Sequence, residues 1–196
     1  MSGSEFYRPI SKQVLANNWG VLTKHEFELR RRSGEWQQQS REVYDHGNGV
    51  TCLLYNADTG CVLLTRQFRL PVYLSDGSDA LIETPAGLLE SAEAVEQMQA
   101  ELLEETGYEV TALKHLFDLY MSPGSLSESI AFFQGNYAPT DRRSEGGGVY
   151  DEGEDIEVLH VPLAEAMLMV DSGEICDAKT IILLQRLTID LMQKGA

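Results

Sequence analysis

The spacing of apolar and polar positions divides the chain into alternating strand-like and helix-like segments. Residues 20–32 and 35–44 carry strand-type runs on either side of Ser33-Gly34, which predicts a hairpin. The apolar run Val50-Thr51-Cys52-Leu53-Leu54-Tyr55 stops at Asn56-Ala57-Asp58-Thr59-Gly60, a turn signal, and resumes at Cys61-Val62-Leu63-Leu64-Thr65 as a second hairpin. Ala80-Leu81-Ile82-Glu83 reads as a brief strand before Pro85-Ala86-Gly87. Over 91–106 the period changes to helical: Val95, Met98 and Leu102 make one apolar stripe, with Ser91 as the expected N-cap and Gly107 as the residue that stops the helix. Strands follow near 109–120 and 129–137, and then a polar stretch, Ala138 to Gly153, with Gly146-Gly147-Gly148, reads as a mobile loop. A strand at 155–161 and helices near 163–172 and 178–193 complete the order. Strands interleaved with helices predict a mixed α/β layer fold. The first 45 residues form a small β element, too small to be stable alone, so it must pack on the main domain or on another subunit.

Composition narrows the possibilities. The 196 residues hold 15 Lys and Arg against 31 Asp and Glu, a formal net charge of −16. That balance speaks against broad nucleic-acid binding, because phosphate repulsion finds no basic stripe to offset it. A polyanionic small ligand needs local Arg or Lys, or a metal. No apolar run approaches the roughly 20 residues of a membrane span, and Met1-Ser2-Gly3-Ser4-Glu5-Phe6 lacks the pattern of an export signal, so a cytoplasmic location is expected. Cys52, Cys61 and Cys176 are odd in number and widely spaced, which suits three reduced, buried thiols. Neither they nor His25, His46, His115 and His160 have zinc-ligand spacing, so any metal must be held by oxygen.

The informative chemistry lies on the 91–106 helix. Glu101, Glu104 and Glu105 fall at i, i+3 and i+4, so their carboxylates share a face and repel one another. A divalent cation turns that repulsion into attraction, and hard oxygen ligands suit Mg²⁺ or Mn²⁺. The bland alternative is a solvated acidic face. Arg69, just after a strand, has the fork geometry to bind a phosphate, or else pairs with one of the many acids. Lys179 opens the last helix, where a cation is disfavoured by the helix dipole, which hints at an anionic ligand. Trp19 is either a stacking surface for a base or a core residue, and Arg30-Arg31-Arg32 reads as a solvated strand end.

Gly87, Glu93, Glu101, Leu102, Glu104, Glu105, Gly107 and Tyr108 together resemble the signature box of the Nudix hydrolases. Two departures stand out: the gap after Glu93 is one residue short, and Ala100 occupies the usual Arg position. Outside the box, Arg41 to Val50, Arg66-Gln67-Phe68-Arg69, Ile82 to Gly87, Met121-Ser122-Pro123-Gly124, Gly146-Gly147-Gly148, Glu154 to Val158 and Asp177-Ala178-Lys179-Thr180 resemble the GDP-mannose pyrophosphatase subfamily, close to the ADP-ribose pyrophosphatases. The resemblance implies a Nudix-type α/β/α sandwich with a mixed sheet over 46–196. It also implies an N-terminal β element over 1–45 that packs across a homodimer. It implies Mg²⁺-dependent (Mn²⁺ possible) hydrolysis of a nucleoside diphosphate sugar, GDP-mannose first and ADP-ribose second. A Nudix-fold sensor that binds without cleaving is the non-enzymatic alternative.

By the same resemblance, Glu101, Glu105, Glu154 and the Ala86 carbonyl ligate the metal, and Gly87 lets backbone approach metal and phosphate. Glu152 stands where related enzymes carry the base that activates water, with Glu104 and Glu128 as further candidates. Arg69, Glu128 and Lys179 are expected at the substrate, and Trp19, Arg41 and Glu42 at the nucleotide bound to the other subunit.

Overall fold

A computed structural model describes residues 5–90 and 93–195, apart from the side chain of Glu152. The chain divides into two compact units. One is Met1–Asn48 with Ser122–Ser129, and the other is Gly49–Met121 with Ile130–Ala196.

The first unit is a three-stranded antiparallel sheet of β1 (Tyr7–Asn17), β2 (Val21–Arg30) and β3 (Trp36–Asp45), in that order. The expected hairpin is β2 and β3, turning at Gly34 in the left-handed region. The strand β1 was not legible: Pro9 interrupts it, and its register shifts between Pro9 and Ser11 and between Val14 and Ala16. Both are features of an edge strand, and they erase the alternation by which a strand is read. Ser122–Ser129 joins this unit through backbone hydrogen bonds, Tyr44 N–H to the Ser125 carbonyl and Ser127 N–H to the Tyr44 carbonyl. Arg30, Arg31 and Arg32 are exposed at the end of β2, as expected of a solvated strand end.

The second unit is a sandwich. Its seven-stranded sheet includes β4 (Gly49–Asn56), β5 (Cys61–Gln67), β8 (Leu113–Leu119), β9 (Ile130–Asn136) and β10 (Glu157–Pro162), ordered β10-β5-β4-β9-β8. The short strands β6 (Leu81–Glu83) and β7 (Ala86–Leu88) pair with β5 and β4. Only β4 and β9 run parallel, so the sheet is mixed. Both faces are covered, which is why β4 and β9 read as continuous apolar runs. Leu53, Val62, Leu64 and Phe132 pack with Ile175, Leu183, Leu184 and Leu187 under α3 (Leu163–Ser172) and α4 (Ala178–Gly195). Their neighbours Cys52, Leu54, Leu63 and Phe133 point the other way, onto Met98 and Leu102 of the opposite layer. This is the expected α/β/α arrangement.

The structure departs from the expectations in detail. The helix expected over 91–106 is α2 (Ala94–Glu101) continued by a π turn over Leu102–Thr106, and Ser91 lies outside the described residues. A short helix α1 (Leu70–Asp76), with Pro71 in its first turn, was not foreseen; it is seven residues long with none buried, so no apolar stripe marks it. The 138–153 segment is tied down rather than free: Arg143 N–H bonds the Gly107 carbonyl, and Gly147 and Gly148 bond the carbonyls of Glu105 and Glu104. All three cysteines are unpaired, but only Cys52 is buried; Cys61 is half-buried and Cys176 exposed. Among the described residues no helix is long and apolar enough to cross a membrane.

Candidate functional site

The site of the second unit is built around the segment from Glu83 to Gly87. A chain of buried hydroxyls fixes it. Thr51 Oγ1 donates to the Pro85 carbonyl at 3.0 Å and lies 2.9 Å from Thr84 Oγ1, while Cys52 N–H donates to the same carbonyl. Thr84 N–H donates to Thr180 Oγ1 at 2.7 Å, and Thr180 in turn is held by Asp177, which accepts from both its N–H and its hydroxyl at the start of α4. The segment is thereby fastened to β4 on one side and α4 on the other. Ala86 N–H then points at Glu105 Oε2, 3.2 Å away.

Glu105 is 1% exposed. Burial raises its pKa well above the carboxylate range, the charges of Glu101, Glu154 and Glu83 add to the rise, and the Ala86 N–H only partly opposes it. The π turn delivers this geometry. It widens the helix at Leu102–Thr106, with Thr106 Oγ1 bonding the Leu102 carbonyl, and puts Glu105 inside while Glu104 stays exposed. The expectation of three carboxylates on one face therefore reduces to Glu101 and Glu105. Glu101 accepts from Gln97 at 2.9 Å, and Glu154 accepts from Val149 N–H at 2.8 Å. A Cβ on Gly87 would come within 3.0 Å of the Glu101 carboxylate, and one on Gly148 would do the same to Glu154. Glycine at these two points lets backbone lie against the acids.

An all-oxygen donor set of Glu101, Glu105, Glu154 and a backbone carbonyl at Ala86 suits a hard divalent cation. A buried carboxylate whose charge is opposed by burial and by three acids is where such an ion would be most favourable. Among the described residues no three acidic, His or Cys side chains stand at converged ligand spacing, so the fit rests on Glu105 and its neighbours in charge. The side chain of Glu152 lies outside the described residues; its backbone closes a single helical turn over Tyr150–Glu152.

Both expected cations, Arg69 and Lys179, meet on one residue that the sequence reading passed over. Arg69 Nε donates to Glu83 Oε1 at 2.7 Å, and Lys179 Nζ donates to Glu83 Oε2 at 2.5 Å. Lys179 also lies 3.1 Å from Asp177, which offsets its awkward place in the first turn of α4. Burial is the largest single influence and works against both charges, but Glu83 together with Asp177 for Lys179, and with Glu105 and Glu154 for Arg69, leaves both pKa values raised. The signal for Glu83 was present: an acid in a short apolar strand, where an unpaired carboxylate would be costly.

The other expected residues belong to the first unit. Trp19 is 71% exposed, not core, and stacks on His46 with ring centroids 5.1 Å apart. His46 Nε2 lies 3.9 Å from Glu128, while its buried Nδ1 has no partner among the described residues. Arg41 and Glu42, together with Tyr7, Phe27, Pro123 and Leu126, line a cavity of about 450 Å³.

Residues 45–184 match the family described as NUDIX domain, and residues 7–44 match the family described as GDP-mannose pyrophosphatase NudK N-terminal domain. A protein of Pectobacterium atrosepticum named GDP-mannose pyrophosphatase is 47% identical over 181 residues, 92% of this chain and 93% of its own. Proteins of the same name from Citrobacter koseri and Escherichia coli are each 46% identical over 179 residues, 91% of this chain and 93% of theirs. A crystal structure of an ADP compounds hydrolase superposes with a TM-score of 0.72 at 18% identity, covering 100% of this chain and 99% of that one, and so shares the fold. These matches make the chain a member of the Nudix family.

Proposed function

We propose that this protein hydrolyses the pyrophosphate bond of a nucleoside diphosphate sugar in a Mg²⁺-dependent reaction, taking GDP-mannose to GMP and mannose 1-phosphate. The observation that carries this is Glu105, a buried carboxylate under the charges of Glu101, Glu154 and Glu83, with Arg69 and Lys179 both paired to Glu83. The shared name of the relatives at 46–47% identity supports the choice of substrate. Glu101, Glu105, Glu154 and the Ala86 carbonyl would hold the ion, which when bound supplies charge neutralisation and polarisation of the phosphorus. Arg69 and Lys179 bind the diphosphate, Glu152 is the first candidate to take the proton of the attacking water, and Glu104 and Glu128 are the reserves. Trp19, Arg41 and Glu42 reach the nucleotide of a second copy in a homodimer, with the 1–45 element packing across it. Exposed apolar side chains in both units, Ile10, Val14 and Leu15 in one and Phe68, Leu70 and Leu74 in the other, support a second copy. Unpaired thiols suit a reducing compartment, and we place the enzyme in the cytoplasm.

The test is turnover of a panel of sugar nucleotides, ADP-ribose included, with and without Mg²⁺ and with the products identified. GDP-mannose is expected to give GMP and mannose 1-phosphate only with the metal. Equal turnover in excess chelator overturns the metal role, and calorimetric binding with no product released makes the protein a sensor instead.

A further inference from the structure

The buried acid Glu83 has no part in the roles above, yet it organises two residues that do. It is 2% exposed and lies at the end of β6, opposite Thr65 of β5. A buried ion set is seldom the most stable filling for such a place; well-packed apolar side chains usually do as well or better. Its presence beside the acid cluster therefore asks for another reason. Each carboxylate oxygen takes one cation, and the two cations arrive from distant parts of the chain, Arg69 from the entry to α1 and Lys179 from the start of α4.

The way Arg69 is held is specific. Its Nε is taken by Glu83, while among the described residues its terminal N–H groups make no hydrogen bond, and its side chain is 38% exposed. The outer edge of the guanidinium is thus free to meet two oxygens of a phosphate, with its plane already fixed. Glu105 and Glu154 also act on the Arg69 charge. Released from Glu83, a guanidinium on this site would be drawn to those carboxylates and would compete there with a dication.

We infer that Glu83 is a positioning residue: it sets Arg69 and Lys179 as a preformed receptor for a diphosphate and keeps Arg69 off the metal-holding acids. This rests on the proposed hydrolysis for its substrate, but not for its effect on the metal. The experiment compares the intact wild-type chain with Glu83→Gln. Two quantities are read: kcat and KM for GDP-mannose, and the Mg²⁺ concentration that gives half of the metal-induced rise in thermal midpoint, measured without substrate. Glu83→Gln is expected to raise KM by about 10-fold or more while kcat changes by less than about 3-fold, the mark of lost binding rather than lost chemistry. It is also expected to raise the Mg²⁺ midpoint several-fold. Adding Arg69→Ala to Glu83→Gln should return that midpoint toward the wild-type value, which a purely structural role for Glu83 would not produce. If Glu83→Gln does not fold, Glu83→Asp, which keeps the charge with a shorter reach, is measured and should move both quantities in the same direction by less. Unchanged KM and unchanged Mg²⁺ midpoint overturn the inference. A wild-type protein that turns over no sugar nucleotide overturns the proposed function alone, and the Mg²⁺ midpoint then decides the role of Glu83.

Discussion

Glu105 is a residue whose native environment works against its own charge. Its pKa is raised by burial first and then by Glu101, Glu154 and Glu83. A carboxyl with a raised native pKa binds its proton more tightly folded than unfolded, so its contribution favours the fold at low pH. That contribution is lost as pH rises from the unfolded value near 4.5 through the raised native value. The metal-free protein should therefore lose stability over this window. Glu105→Gln keeps the shape, flattens the pH dependence, and in chelator at neutral pH should be more stable than wild type by about 1–3 kcal/mol. Added Mg²⁺ should reverse the order, because it stabilises only the chain that binds it, and kcat of the variant should fall by roughly 10²-fold or more. Denaturant melts at several pH values, with and without Mg²⁺, check this; parallel profiles for the two chains would count against it. At this scale the spacing pointed to Glu101, Glu104 and Glu105 together, while the π turn decides that Glu105 faces inward and Glu104 outward. For Glu83 the sequence offered only an acid in a short apolar strand and no sign of the partners, which lie 14 and 96 residues away.

The elements show where reading by period works. Met98 of α2 and Leu102 of the π turn are buried and Val95 packs half-buried against the same cluster, because that stripe is set by local spacing against the sheet. The π turn that follows is not encoded by spacing. Long-range hydrogen bonds accompany it: the amides of Gly147 and Gly148 cap the carbonyls of Glu105 and Glu104 from a segment some 40 residues on. The strand β7 shows the same dependence on tertiary approach. Gly87 faces Glu101 so closely that a methyl group cannot enter without moving the carboxylate. Gly87→Ala should consequently lower kcat by about 10-fold or more. Gly87 does not adopt a positive φ, so an alanine there incurs no left-handed backbone strain, and the thermal midpoint should stay within a few degrees. Steady-state kinetics with a melt on the same preparation separate the two. A variant with wild-type kcat would mean that the Glu101 carboxylate can shift without consequence.

At the scale of the molecule, the order of strands and helices made a mixed α/β layer fold legible, the family resemblance implied the sandwich, and the structure shows β4, β5 and β9 sending alternate residues into two cores. Which surfaces the proposed second copy would meet was not legible, since an exposed apolar side chain in a strand reads like any other until the fold shows it uncovered by the described residues. Ile10, Val14 and Leu15 on the edge strand β1 are in that position, and the exposed Trp19 follows two residues after the strand ends. Two chains of net charge −16 repel, so association must come from apolar burial strong enough to overcome the charge. Light scattering at micromolar concentration should give about twice the 21.8 kDa chain mass. Added salt should tighten the dimer, because screening weakens the repulsion and leaves the apolar contact intact. Val14→Glu places a charge in the patch and should yield monomers that fold normally. If residues 1–45 serve the partner's nucleotide, specific activity of the wild type should fall on dilution below the dissociation constant, and Val14→Glu should be impaired at every concentration. A monomer that is fully active would separate the β1 patch from catalysis and leave the apolar surface without a role in the reaction.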